Sequence, residues 1–325
     1  MPLHNSFRRA IKPWCPLSIQ FDQSAVAVDL LKIDHRKWAP QAEASVDQII
    51  RPFQCEDWSV IPLLSPNSDS NRTDPGLPGE DYGPTPLLSK LDAFESLLDS
   101  IPCEKMAARI FRLKPGASIE RHIDPFFGFE YGKLRLHAPI ITSESALMVF
   151  GDDSVHWSAG RLWYGDFGRV HTVTNSAAQS RFHIVIDCLI NSMLLDTFPE
   201  SHRPECVMLN RTIVTDSFPP AIGVGHWSVS VSAKAFDWTN SLDIEGELQV
   251  SFWVDEMTYE PFLTLPSGIT AKLRPLGGND YRIGFMPEES IVRILEDTIE
   301  IVRRVGDHLE VYSCTLKETS GKITH

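Results

Sequence analysis

Between Met106 and Ile190 the chain is a series of short runs rich in apolar and β-branched residues, each cut by turn formers. Met106 to Leu113 stops at Lys114-Pro115-Gly116. Leu134 to Ile141 and Ala146 to Phe150 are followed by Gly151-Asp152-Asp153-Ser154. Arg161-Leu162-Trp163-Tyr164 leads into Gly165-Asp166-Phe167-Gly168, and two further runs begin at His171 and Arg181. Several short strands at this spacing predict a sandwich or barrel.

Elsewhere the pattern differs. Ser89 to Ser100 carries Leu91, Phe94, Leu97 and Leu98 at helical spacing, which predicts a helix. Ala25 to Leu31 is a short apolar run, and Ser65 to Pro86 reads as a long loop rich in Pro, Gly, Ser, Asn and Asp that could border a site. After Ile190 the composition changes, with Pro199 to Pro204 and Phe218-Pro219-Pro220 reading as a connection. Beyond it, Leu248 to Val254 predicts a strand, and Gly277-Gly278-Asn279-Asp280 a turn before the strand Tyr281 to Phe285. Pro287 to Val305 predicts an amphipathic helix, because Ile291, Ile294, Leu295, Ile299 and Val302 fall on one stripe. The expected division is therefore 1–198, with its β core at about 104–190, and 204–325 as a smaller α+β domain. That second region would support dimerisation or substrate capture, or else extend the barrel.

Composition narrows the function classes. With 325 residues, 42% hydrophobic and 22% charged, the chain can bury a substantial core. A net charge of −13 and a pI near 5.3 leave no basic stripe for phosphates and argue against a nucleic-acid partner. The six cysteines, Cys15, Cys55, Cys103, Cys188, Cys206 and Cys314, lack C-x-x-C spacing. With a polar N-terminus and no span long and apolar enough for a membrane, they predict a reduced, cytoplasmic protein.

The candidate chemistry lies inside the strand series. His122-Ile123-Asp124 puts an imidazole and a carboxylate on one face of an extended segment, since strand side chains alternate with period two. His171, on a later strand, could supply a second imidazole. Two imidazoles and one carboxylate can hold Fe(II) on one face and leave the other open. Arg181 opens the run Arg181-Phe182-His183-Ile184-Val185-Ile186-Asp187, and its guanidinium fork suits a dicarboxylate co-substrate.

These motifs carry a family resemblance. Leu113-Lys114-Pro115-Gly116, His122-Ile123-Asp124, Leu134-Arg135-Leu136-His137, Gly160 to Tyr164, His171 to Asn175 and Arg181 to Asp187 occur in an order that resembles the aspartyl/asparaginyl β-hydroxylase family of iron- and 2-oxoglutarate-dependent oxygenases. The likeness is strongest to its soluble branch acting on amino acids such as proline. Ile61-Pro62-Leu63 and Thr85-Pro86-Leu87-Leu88 match that branch more weakly. The resemblance implies a mainly β fold, a double-stranded β-helix (cupin-like jelly roll) with flanking helices. It implies that His122, Asp124 and His171 bind Fe(II), that Arg181 holds the distal carboxylate of 2-oxoglutarate, and that His137 lies near this co-substrate. Arg135 matches an arginine facing the substrate pocket. O2 would be the second co-substrate, with succinate and CO2 released. The presence of Asp124, which related halogenating enzymes lack, favours hydroxylation.

The implied substrate is small and carboxylate-bearing, a free amino acid or derivative. Hydroxylation of a peptide- or protein-bound residue, or a cupin-like binding protein without turnover, are the alternatives. Because Arg135 and His137 share a strand face, Arg135 is expected to anchor a substrate carboxylate; the competing expectation is a structural ion pair. His183 is expected as a hydrogen-bonded wall residue, His156 and Trp157 as surface or lid residues, and Trp163 and Tyr164 as core. Phe126, Phe127 and Phe129 suit a lid or simple packing equally.

Overall fold

The computed structural model describes residues 12–33, 38–44, 50–52, 57–76, 80–124, 127–129, 133–203, 220, 222–236, 245–283, 291–305 and 308–318. The first strands are β1 (Trp14–Gln20), β2 (Ala39–Pro40), β3 (Ala42–Ala44), β4 (Ile50–Pro52), β5 (Trp58–Pro66) and β6 (Tyr82–Pro84). Eight more follow: β7 (Lys105–Leu113), β8 (Ser118–His122), β9 (Lys133–Ile141), β10 (Ala146–Phe150), β11 (Asp153–His156), β12 (Arg161–Gly165), β13 (His171–Asn175) and β14 (Arg181–Leu189). Among the described residues three α-helices flank them, α1 (Gln23–Lys32), α2 (Asp92–Asp99) and α3 (Ser192–Leu195).

The pairing of β7 to β14 is nested. β10 pairs with β11, and around that hairpin β9 pairs with β12, β8 with β13 and β7 with β14, all antiparallel. Two sheets result. The larger runs β1-β12-β9-β14-β7-β5-β2, with β6 beside β5, and the smaller runs β11-β10-β13-β8. This is a jelly roll, the double-stranded β-helix expected from the sequence.

Alternation along the strands divides the packing. Ala108, Ile110, Leu134, Leu136, Ala138, Ile184 and Ile186 face outward from the larger sheet and pack with Val26, Leu30, Phe94, Leu97, Leu98 and Leu194 of the helices. Their intervening neighbours face the barrel, where Phe111, Leu113 and Val185 meet Met148, Phe150, Trp157, Trp163, Phe167 and Val173. Each fully buried side chain of this size contributes about 1.5–3 kcal/mol. The inward set also includes Arg109, Arg135, His137, Arg181, His183 and Asp187, all buried. A polar wall is thus built into the same period that builds the core.

The helices are fastened locally. Asp22 caps α1 by accepting the Ala25 amide at 3.0 Å. Leu91, at the start of α2, offers no side-chain cap; the buried Asp29 of α1 accepts the Ala93 amide instead, at 2.8 Å. The helix expected at 89–100 is present, with a 3-10 turn over Leu88–Lys90 before it.

The later part of the chain is β rather than α+β among the described residues. It contains β15 (Gly225–Ser232), β16 (Glu247–Val254), β17 (Pro261–Thr264), β18 (Thr270–Gly277), β19 (Asp280–Ile283), β20 (Ile291–Ile294), β21 (Thr298–Val305), β22 (His308–Thr315) and β23 (Lys317–Glu318). β15 to β22 pair in sequence order as an antiparallel meander, and β23 returns to pair with β15. The helix expected over 287–305 is therefore corrected to the hairpin β20–β21, with Ile291 opposite Val302 and Ile294 opposite Ile299. Residues 284–290 lie outside the described residues. The expected strand at 248–254 and the turn at 277–280 are present, with φ of 103° at Gly277 and 59° at Gly278. Pro204, Phe218 and Pro219 of the expected connection lie outside the described residues. This meander shares no strand with the jelly roll, although Arg274 pairs with Glu104 at 2.9 Å across the two. No helix among the described residues is long and apolar enough to cross a membrane.

Candidate active site

β8 ends on His122, β13 begins on His171, and the two residues are directly paired across the strands. Asp124 follows two residues after His122 and is tied down by its amide, which donates to the Phe167 carbonyl at 2.9 Å. One ligand-type atom from each of His122, Asp124 and His171 lies within 4.8 Å of the others. His122 Nε2 is 3.6 Å from Asp124 Oδ1, and the two imidazole centroids are 4.2 Å apart.

The donor set fits a divalent transition metal for a reason beyond residue type. His122 Nδ1 lies 2.7 Å from the Glu120 carbonyl and His171 Nδ1 lies 2.9 Å from the Arg169 carbonyl. A carbonyl only accepts, so each Nδ1 carries the proton and each Nε2 keeps its lone pair. Burial, opposed by the nearby Asp124 charge, holds the His171 pKa below the ordinary value and keeps that lone pair available.

Arg181 sits at the start of β14 and is buried, and among the described residues no carboxylate lies within ion-pair distance of it. Its Nη2 donates to His183 Nδ1 at 3.0 Å and lies 3.3 Å from Met148 Sδ. Burial without a counter-ion brings its pKa down to about 9. His183 Nδ1 in turn lies 3.4 Å from His137 Nδ1. Because the guanidinium can only donate, His183 Nδ1 is the acceptor and its proton sits on Nε2, which is buried without a partner. His137 stacks on Phe167 at 4.9 Å, and Phe167 meets His171 edge-on at 4.9 Å. Arg181, His183, His137, Phe167 and His171 therefore form one continuous wall. Burial, followed by the positive charge of Arg181, holds His137 and His183 neutral, far below their ordinary pKa.

Arg135 is placed differently from its first expectation. Its Nε donates to Asp187 Oδ1 at 2.7 Å and its Nη2 to Asp187 Oδ2 at 3.0 Å, while Nη1 contacts Asp124 Oδ2. Arg109, fully buried, donates to the same Asp187 Oδ2 at 2.7 Å. The geometry favours the competing expectation, a structural ion pair. Burial alone would raise the Asp187 pKa, but Arg135 and Arg109 overcome it and hold the carboxyl below its ordinary range. Arg135 contacts Asp124 as well, so it also fixes the orientation of the carboxylate in the candidate cluster.

Three other expectations change or resolve. Trp157 is not a surface residue: it is 1% exposed, stacked on Trp163 with centroids 5.8 Å apart. Phe127 and Phe129 are packing residues, Phe127 under Lys133 and Arg135 and Phe129 against Tyr164 and Phe198; Phe126 lies outside the described residues. Cys15, Cys103, Cys188 and Cys314 are free, and Cys55 and Cys206 lie outside the described residues. Sequence reasoning missed Asp187, Arg109 and Lys133. The signal was present in period two, since Asp187 shares a strand face with Arg181 and His183, and Lys133 shares one with Arg135 and His137.

A nested jelly roll with two histidines and an aspartate gathered at one strand end defines the protein's class, the double-stranded β-helix with a facial ligand cluster. Residues 36–190, just under half of the chain, match the family model described as Aspartyl/Asparaginyl beta-hydroxylase. Among curated proteins none matches. Among solved structures, a prolyl-4-hydroxylase from Pseudomonas putida is 17% identical with a TM-score of 0.35, the match covering 56% of this chain and 95% of that one. A prolyl hydroxylase from Trichoplax adhaerens, solved with a hypoxia inducible factor peptide fragment, is 11% identical with a TM-score of 0.36, covering 57% and 91%. HygX from Streptomyces hygroscopicus, solved with nickel and 2-oxoglutarate, is 8% identical with a TM-score of 0.34, covering 57% and 86%.

Proposed function

We propose that the protein is an Fe(II)- and 2-oxoglutarate-dependent dioxygenase that hydroxylates an aliphatic C–H of a free amino acid or amino-acid derivative. The observation that carries this reading is the pairing of the His122, Asp124 and His171 cluster with a buried, carboxylate-free Arg181 on the same barrel wall. A metal site alone would not require that guanidinium.

In this reading His122 Nε2, His171 Nε2 and Asp124 hold the metal, and Arg181 takes the distal carboxylate of 2-oxoglutarate. Bound Fe(II) and 2-oxoglutarate would supply the oxidising chemistry: O2 and 2-oxoglutarate are consumed, succinate and CO2 leave, and one oxygen atom enters the substrate C–H. The chain's own residues do the rest. The Glu120 and Arg169 carbonyls fix both imidazole tautomers, and Arg135 orients Asp124. His183 holds Arg181 in place through Nδ1, while Phe150, Trp157 and Phe167 line an apolar wall that excludes water beside His171. His137, neutral on that wall, would border the co-substrate.

Anaerobic protein mixed with Fe(II) and 2-oxoglutarate tests the reading. Wild type is expected to show the visible charge-transfer band of a chelated 2-oxo acid, and His171→Ala to lack it. Equal binding of both ligands by wild type and mutant would reject the assignment.

A further inference from the structure

Lys133, at the first position of β9, points to the same barrel face as Arg135 and His137. Its ammonium lies 4.3 Å from the centroid of the Phe127 ring, and Arg135 lies 4.1 Å from the same ring. Phe127 is buried, and Arg135 on the same ring contacts Asp124, so Lys133 stands within one side chain of the candidate cluster. Burial brings the Lys133 pKa down to about 8, against the pull of Asp187.

The charges around it do not balance. Three cations, Arg109, Lys133 and Arg135, face two carboxylates, Asp124 and Asp187. Arg109 and Arg135 take both carboxylates, and Lys133 has no salt-bridge partner among the described residues. A divalent ion on Asp124 would add to the positive excess. A half-buried ammonium over an aromatic face still lacks a counter-ion, and the cation–π contact supplies about 0.5–2 kcal/mol of what an ion pair would.

We propose that Lys133, rather than Arg135, anchors a carboxylate of the prime substrate. The inference rests on the oxygenase reading above and narrows its substrate to an acid whose carboxylate reaches the mouth of β9. Phe127 holds the aliphatic stem and the ammonium in place, and Arg135 remains committed to Asp187 and Asp124. The co-substrate is the other source of a carboxylate at this site.

Trace acetylation of the full chain near pH 8, read by peptide mass spectrometry, separates the two sources without turnover. Protein loaded with Mn2+ would be labelled with 2-oxoglutarate alone, with 2-oxoglutarate plus pools of the proteinogenic L-amino acids, and with 2-oxoglutarate plus the same pools as carboxamides. The expected result is that one acid pool protects Lys133 several-fold beyond 2-oxoglutarate alone and its amide pool does not. Full protection by 2-oxoglutarate alone assigns the lysine to the co-substrate and overturns the proposal. So does equal protection by amides, or none by any pool. In a second arm with Fe(II), Lys133→Met should keep the charge-transfer band and the substrate-free production of succinate. It should lose about tenfold or more of the pool-stimulated rate, the scale expected when one partner of a hydrogen-bonded charge pair is removed. Lys133→Arg should restore part of that rate. A wild type without the charge-transfer band would reject the oxygenase reading, while the labelling result would still decide the role of Lys133.

Discussion

Arg135 and Asp187 face each other directly across β9 and β14 and are joined by two hydrogen bonds, of 2.7 and 3.0 Å. The pair is buried, and Arg109 shares the same carboxylate from the other neighbouring strand. A buried carboxylate between two guanidinium groups is far more sensitive to the loss of one member than an exposed pair is, because the remaining charges cannot be rehydrated. Asp187→Asn is therefore expected to destabilise the fold by about 3–5 kcal/mol in urea denaturation at neutral pH. A loss under about 1 kcal/mol, the scale of surface pairs, would contradict this account.

The same carboxylate sets an acid limit. Its folded pKa lies below the ordinary value of 3.8, so the stability it contributes is complete above that value and is lost as pH falls through the depressed folded pKa. Wild type should lose stability below about pH 4, and Asp187→Asn should show a shallower dependence over that window. Parallel acid profiles for the two proteins would assign the transition to other groups.

Removing a ligand residue should silence the metal without unfolding the protein. Mn2+ at about 100 times its Kd should raise wild-type stability by about 2.7 kcal/mol. His122→Ala, losing an Nε2 donor from a half-exposed position, should keep its metal-free melting temperature and show almost no metal-induced shift. An undiminished shift in the variant would place the ion elsewhere.

Arg181 should behave in the opposite sense to Asp187. Its guanidinium is buried beside a thioether and an imidazole, so Arg181→Met should leave the ligand-free protein as stable as wild type or more so. Its affinity for 2-oxoglutarate should fall by a factor of tens to thousands, from the roughly 2–5 kcal/mol assigned to one partner of a buried charge pair. Isothermal titration with the Mn2+-loaded protein measures this; an unchanged affinity would remove Arg181 from the co-substrate site.

The jelly roll and the meander share no strands, and a proline-rich stretch separates them in sequence. We propose that they are separable domains. Limited proteolysis is then expected to cut between Phe198 and Pro220 and leave two stable fragments, whereas cleavage confined to the chain ends would argue for one cooperative unit.

The strands from β7 to β14 were legible because their period-two pattern is reinforced by turn residues at each break. The two histidines and the aspartate were legible because His-x-Asp fixes its own geometry within one strand end. The role of Arg135 was harder to read, since its partner Asp187 is distant in sequence and meets it only through strand pairing. Pro287 to Val305 misled for a physical reason. Ile291, Ile294, Ile299 and Val302 satisfy a helical stripe, yet the same residues are cross-strand partners in a hairpin, and β-branched side chains favour the strand. Trp157 misled because a residue just after a hairpin strand usually faces water, whereas here it turns under the barrel wall against Trp163.

A single transverse row of residues runs across the smaller sheet: His122 opposite His171, His171 opposite Phe150, and Phe150 opposite Asp153. The row ends at Gly151-Asp152, where Gly151 has a φ of 61° and a side chain would meet only open space. A one-residue slip of β13 against β8 would send His171 to the opposite face from His122, and the ladder that β13 makes with β10 on its other side opposes that slip. The alignment of the two imidazoles is thus held partly by β10, a strand that carries neither of them.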